Sequence, residues 1–318
     1  MLTKKVVFIS AQPDVPYFHW QVEVMIHNFM KAGVNPNWIE VLWAHDGVPS
    51  KEVAFLAGKY PNVRFFFYPK RITENYGYIP ILRPDILEQH FQAHPKLKKE
   101  VIFYHDSDII FRELPDFSKM RDDDVWYMSD TVSYIGADYI KSKSPELFTD
   151  LCEIAKIDPA LVEENQPNSG GAQYLMKGVT PEYWAYVKEV ALELYRYMAK
   201  RESEERQTLS PEVLKTYNPI QKWCSDMWAV FWGALRSGKT VRLHDELGFS
   251  WGTSNLVEYE RHKIMHNAGV TGNNGGKLFY KGEFIGRSPF DADLSGVDKE
   301  MASSKYVEAI LYAKERRR

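Results

Sequence analysis

Cysteine is nearly absent. The 318 residues hold two, Cys152 and Cys224, without metal-like spacing. Two thiols make no disulfide framework, so both are expected as small buried apolar residues in a reducing compartment. Long hydrophobic runs are missing too: Val6-Val7-Phe8-Ile9-Ser10 is too short for a signal h-region. No stretch reaches the roughly 18 apolar residues of a membrane span, so a cytoplasmic location with no membrane partner is expected. Charge of one sign is not in excess, since 40 basic and 43 acidic residues leave a formal net charge of -3. No global field therefore advertises nucleic acid or an anionic membrane as an obligate partner. P-loop and G-x-G-x-x-G elements, repeats and low-complexity tracts are also lacking.

What is present is 44% hydrophobic residues, enough for a sizeable core, arranged as alternating strand and helix patterns. Val6 to Ser10 reads as a strand, and Val22, Met25, Ile26, Phe29 and Met30 recur at helical spacing before Gly33 caps that helix. Ile39 to Trp43 and Val63 to Tyr68 read as strands around a short helix from Lys51 to Lys59. Pro84 opens another helix, with Ile86, Leu87, His90 and Phe91 as its buried stripe. Further strands are expected at 125–128 and 172–176, helices after Ser144-Pro145 and Thr180-Pro181, and a buried aromatic helix from Gln221 to Leu235. This pattern predicts an α/β fold with a mostly parallel central sheet flanked by helices. A single domain over 1–298 is expected, with a donor half to about 115 and an acceptor half after it, and a helical tail over 299–318.

The chemistry concentrates after Val101-Ile102-Phe103-Tyr104, a continuous apolar run suited to a strand buried on both faces. It delivers His105-Asp106-Ser107-Asp108, and Ile109-Ile110-Phe111 returns the chain to the interior. Carboxyl ends of strands are where open α/β sheets bind ligands. Two carboxylates one residue apart at such a turn supply hard oxygen ligands for Mn²⁺ or Mg²⁺, which stabilises charge growing on a departing diphosphate. His266, in a late loop rich in Gly and Asn, is the candidate third ligand; Gly269 would let backbone approach a phosphate. Lys263, Lys277 and Lys281 flank that loop.

Asp106-Ser107-Asp108 with His266-x-x-Gly269 resembles the GT-A glycosyltransferases. Pro16-Tyr17-Phe18-His19-Trp20-Gln21, followed by a helix ending Lys31-Ala32-Gly33, resembles more closely the start of the hydroxyproline O-arabinosyltransferases and peptidyl serine α-galactosyltransferases of plants and algae. Gly170-Gly171, the helix around Asp226 and the His266 loop fall in the same order. Two departures stand out. Glycogenin-like proteins carry a lysine where this chain has Gly272, and the plant enzymes carry a secretory-pathway anchor that is not expected here.

The resemblance implies a nucleotide-sugar donor, with UDP the favoured carrier, and retention of configuration at the transferred sugar. Ser10-Ala11-Gln12, as the loop after the first strand, would approach the nucleoside with Tyr17 nearby; Asp46 would read the base; Ser107 belongs to the donor site. Arg83 would bring a cation to the diphosphate. Gly170 and Gly171 would leave space for the donor sugar or acceptor, and Trp251 would offer a stacking surface. Asp226, acidic among bulky apolar neighbours, is the candidate catalytic carboxylate. In a retaining reaction it would stabilise positive charge on the sugar or act as nucleophile; in an inverting one it would be the general base. The acceptor hydroxyl stays open between protein, glycan and a hydroxymethylated base in DNA. For DNA, Lys96, Lys98, Lys99, Lys141, Lys143 and Arg316 to Arg318 would track phosphates. Other readings are a metal-dependent nucleotidyltransferase or phosphohydrolase, and a non-catalytic binding module on the same fold.

Overall fold

The computed structural model describes residues 5–72, 77–273 and 276–317. Arg318 of the basic tail, and residues 274 and 275 of the late loop, lie outside the described residues. Seven strands form the central sheet: β1 (Val6–Pro13), β2 (Ile39–His45), β3 (Arg64–Pro69), β4 (Val101–His105), β6 (Trp126–Asp130), β7 (Gly170–Lys177) and β8 (Val241–Leu243). A second sheet holds β5 (Ile109–Phe111), β9 (Phe249–Trp251) and β10 (Ile264–His266). The order in the first is β3-β2-β1-β4-β7-β6-β8, and only β7 runs against its neighbours, so the sheet is mostly parallel as expected.

The longer helices are α1 (Pro16–Lys31), α2 (Lys51–Lys59), α3 (Leu82–Ala93), α4 (Pro145–Ala155), α5 (Pro181–Thr208), α6 (Ser225–Arg236) and α7 (Ser303–Glu315). Side chains alternate across β1, which explains its continuous apolar run. Val7 and Ile9 face a core shared with Ile86, Leu87 and Phe91 of α3, while Val6 and Phe8 face Val22, Met25 and Phe29 of α1. Ser144 and Thr180 accept backbone N–H bonds at the starts of α4 and α5, and Gly33, at φ +94°, ends α1 in the left-handed region open to glycine. The tail is not an appendage: Tyr306, Ile310 and Ala313 of α7 join Trp20 and Val24 of α1 in a third core. Trp20, within the segment that carries the plant-family resemblance, is thus a packing residue.

Several boundaries differ from expectation. β1 continues to Pro13 because Ser10, Ala11 and Gln12 pair with Val41, Leu42 and Trp43 of β2; those three residues are strand, not loop. Residues 222–224 form a separate 3-10 turn ahead of α6, leaving Trp223 outside the helix core. Cys152 is buried, but Cys224 on that turn is only half-buried.

The connections set the ligand crevice. From β1 the chain builds outward through β2 and β3, then crosses back to place β4 on the other side of β1. Crevices open at the carboxyl ends of strands where such a reversal occurs. Here that end carries Asp106.

Candidate metal and donor site

Two short strands bring the distant ligand to the aspartates. After the turn at Asp106-Ser107-Asp108 the chain leaves the main sheet as β5, which pairs antiparallel with β10 so that His266 lies opposite Ile109. The Asn267 amide donates to the Asp108 carbonyl at 2.9 Å, fixing the register beside the turn. His266 Nε2 then stands 3.5 Å from Asp106 Oδ2 and 3.2 Å from Asp108 Oδ1. One ligand atom from each of the three residues lies within 4.8 Å of the others. Two carboxylates and an imidazole form a donor set for a hard or borderline divalent cation.

Hydrogen-bond accounting supports the fit. Ser129 Oγ is 2.6 Å from the Leu247 carbonyl and 2.6 Å from the Gln173 side-chain amide, whose other end is 3.3 Å from His266 Nδ1. Ser129 has one proton, and the Leu247 carbonyl can only accept it. Gln173 must then donate its NH₂ to Ser129 and turn its oxygen to His266, an assignment made from the network. Nδ1 therefore carries a proton, and Nε2 faces the two carboxylates. Two carboxylates converging on Nε2 call for a cation there, a proton on the imidazole or a divalent ion in its place.

The remaining carboxylate oxygens already hold protein cations. Arg83 Nη1 is 2.7 Å from Asp106 Oδ1 and 3.5 Å from Asp226 Oδ2, and Lys281 is bonded to Asp108 Oδ2. Burial opposes charge on Asp108, yet Lys281 and His266 hold its carboxyl well below the usual carboxylate range. Lys281 and Arg83 are likewise disfavoured by burial, but the facing carboxylates raise both above their ordinary values. Asp226 goes the other way: burial raises its pKa, Arg83 offsets this in part, and Asp106 adds repulsion.

Asp226 opens α6, where Tyr78 clamps it. The Tyr78 hydroxyl donates to Asp226 Oδ1 at 3.0 Å and accepts from the Asp226 amide at 2.8 Å. Arg83 and Tyr78 flank the start of α3, so one short segment reaches both the metal ligands and this carboxylate.

No protein-family model and no curated protein sequence matches the chain. Among solved structures, the bifunctional glycosyltransferase WbbM aligns over 98% of this chain with a TM-score of 0.51 at 11% identity. Its fold is that of the GT-A glycosyltransferases. The alignment spans 50% of the WbbM chain. GlyE, a glycosyltransferase of Streptococcus pneumoniae, aligns over 99% of this chain and 63% of its own at a TM-score of 0.45 and 9% identity. An active-site mutant of LgtC aligns over 96% of this chain and 95% of its own at 0.41 and 9%. The chain thus spans about half to two thirds of the first two structures it matches.

The other sequence candidates scatter around this centre. Tyr17, in the first turn of α1, interacts with Lys281, and burial raises its pKa although Lys281 opposes this. Ser107 is buried within the turn, and Gly269 follows β10 at φ +82°, a left-handed conformation that favours glycine. Ser10, Ala11 and Gln12 are buried in β1, with Gln12 Nε2 donating to the Leu42 carbonyl. Asp46 follows β2, is 80% exposed and is bonded to Lys70 at 2.5 Å.

Gly170 leaves no room for a sugar. A Cβ there would sit 2.3 Å from Met128 Cβ and 2.9 Å from Leu243, so its absence lets β6 and β8 pack. At Gly171 the space is taken by the Met227 methyl, 2.3 Å from a Cβ position. Trp251 stacks on His266, rings 6.0 Å apart at 11°, and so braces the ligand instead of offering that face to a substrate. Sequence reading missed Gln173 and Tyr78 altogether and left Lys281 among three flanking lysines. A polar residue in the middle of the apolar run 172–176 was the available signal for Gln173.

Proposed function

We propose that the protein is a metal-dependent glycosyltransferase that moves a sugar from a nucleotide diphosphate donor, UDP-linked in the favoured case, to an acceptor hydroxyl with retention. The observation that carries this is the triad of Asp106, Asp108 and His266 at the switch point of the sheet, with Nε2 of its imidazole facing both carboxylates. Asp106 Oδ2, Asp108 Oδ1 and His266 Nε2 would hold Mn²⁺ or Mg²⁺, which supplies Lewis-acid stabilisation of the leaving diphosphate. Arg83 and Lys281 add positive charge beside it, Lys281 taking the place of the lysine missing at position 272. Asp226, clamped by Tyr78 and shared with Asp106 through Arg83, stands where positive charge on the sugar would be met.

A DNA acceptor finds less support. The 3-10 turn with Lys96, Lys98 and Lys99 leads into the start of β4, at the opposite end of that strand from Asp106. Lys141 is paired with Glu163, and Arg317 with Glu23 at 3.0 Å.

The test is nucleoside diphosphate release from a panel of nucleotide sugars, with and without Mn²⁺, by the wild type and Asp106→Asn. One donor should be consumed only with metal, and the variant should lose about 100-fold or more of that rate. Equal turnover by the variant would refute the metal assignment.

A further inference from the structure

Trp223 is a large apolar side chain that stands exposed close in sequence to the part-buried Asp226. It sits on the 3-10 turn three residues before Asp226, and it is 52% exposed. The turn is held from below: Tyr78 stacks on Tyr195 with ring centroids 4.4 Å apart and meets Trp223 edge-on at 5.6 Å and 90°. The same Tyr78 hydroxyl clamps Asp226, so the indole and the carboxylate share one rigid support. Ile79, next to Tyr78, is 53% exposed and widens the apolar floor. Tyr134 is near both ends of this region: burial first, and then Cys224 and Asp106, raise its hydroxyl pKa.

We infer that Trp223 floors an acceptor subsite that takes a sugar ring, so that the acceptor of the transfer proposed above is a saccharide. This rests on that reading of the site. A pyranose has an apolar C–H face and a rim of hydroxyls, and a rigid indole covers such a face at low entropic cost while leaving the rim free. Side chains three apart along a helix stand about 5–6 Å apart, roughly one sugar ring, so a ring on Trp223 would bring its edge hydroxyls toward Asp226. The nearby cations are already matched: Arg83 holds Asp106 and Asp226, and Lys222 holds Glu202. That balance disfavours a polyanionic acceptor such as DNA. A peptide would leave the indole face partly wet and find no sheet edge at this turn.

Two measurements test it. Tryptophan fluorescence is titrated with methyl glucoside, methyl galactoside, methyl mannoside and lactose, which needs no donor. Transfer is then assayed to those glycosides, to a serine and hydroxyproline peptide, and to duplex DNA containing hydroxymethylcytosine. At least one glycoside should quench the wild type and accept sugar. Trp223→Ala should abolish that quench and raise the glycoside KM about tenfold or more, with kcat changed less, and Trp223→Phe should recover most of the loss. An unchanged KM and quench in Trp223→Ala, or transfer to peptide or DNA with none to glycosides, overturns the inference. Trp223-dependent quenching by a glycoside without hydrolysis of any nucleotide sugar would leave the saccharide site standing and sink the transferase reading instead.

Discussion

Lys281→Met should change metal and nucleotide binding in opposite directions. Lys281 holds Asp108 Oδ2, while Oδ1 of the same carboxylate faces His266 Nε2, where a divalent ion would sit. Carboxylate geometry and metal–oxygen bonds of about 2.1 Å place the ammonium about 5 Å from that ion. A charge of +2 and a charge of +1 at about 5 Å repel by about 2 kcal/mol at the dielectric of water and about 6–7 kcal/mol at an effective value of 20. Losing the orienting bond to Asp108 offsets about 1.5–3 kcal/mol of that. At an effective value of 20 about 3–5 kcal/mol remains, while at the dielectric of water almost nothing does, so a partly buried site predicts Mn²⁺ binding about tenfold or more tighter in the variant without nucleotide, read by isothermal titration calorimetry or by loss of the free Mn²⁺ spectrum. With metal saturating, nucleoside diphosphate should bind about tenfold more weakly, because a charge-assisted phosphate contact is gone. Mn²⁺ affinity that is unchanged or weaker in the variant would show that Lys281 only orients Asp108, and the electrostatic reasoning would fail.

Two further outcomes follow from the surroundings. Gln173→Leu removes the acceptor that keeps the proton on His266 Nδ1, and Mn²⁺ affinity should fall about 10- to 100-fold with the fold retained by circular dichroism; unaltered affinity would refute the tautomer assignment. Glu246 accepts from Lys119 at 2.5 Å, Lys263 at 2.9 Å and the Asp116 amide at 2.7 Å. Although partial burial opposes its charge, these partners lower its carboxyl to about 2. A depressed folded pKa stabilises above the unfolded value and loses that stabilisation as pH falls, here between about 4.5 and 2. Glu246→Gln should therefore cost about 1–3 kcal/mol at neutral pH, the half-exposed Lys119 weakening its share. The variant should also lose less than the wild type across that acid window in denaturant titrations, and parallel acid limbs would refute the assignment.

The meeting of the two aspartates with His266 was legible because an acidic turn after a buried strand and a late Gly- and Asn-rich loop are both sequence signals. A four-residue apolar run followed by acidic residues reads as a strand delivering them to its carboxyl end, and β4 does so. What was not legible depends on contacts between elements. Gly170 and Gly171 look like space for a ligand until Met128, Leu243 and Met227 are seen to fill it. Trp251 looks like an open stacking face, but its register opposite His266 in β9 and β10 turns it onto the imidazole. Ser10 to Gln12 read as loop because polar residues there break the apolar pattern, while six consecutive pairings with β2 extend the strand to Pro13. Lys281, Gln173 and Tyr78 carry no sequence pattern of their own; each gains a role from a partner more than 90 residues away.

The charges of the site also say how it fills. Asp106, Asp108 and Asp226 face Arg83 and Lys281, three carboxylates against two permanent cations. A divalent ion entering alone meets an aspartate pair whose outer oxygens are already taken by cations, so much of its attraction has been spent. A diphosphate entering alone meets Asp106 and Asp108 across the same small space. Together the two bring nearly cancelling charge, and each relieves the repulsion that the other meets. Metal and nucleotide should therefore bind with positive coupling, and by linkage each must raise the affinity of the other by the same factor.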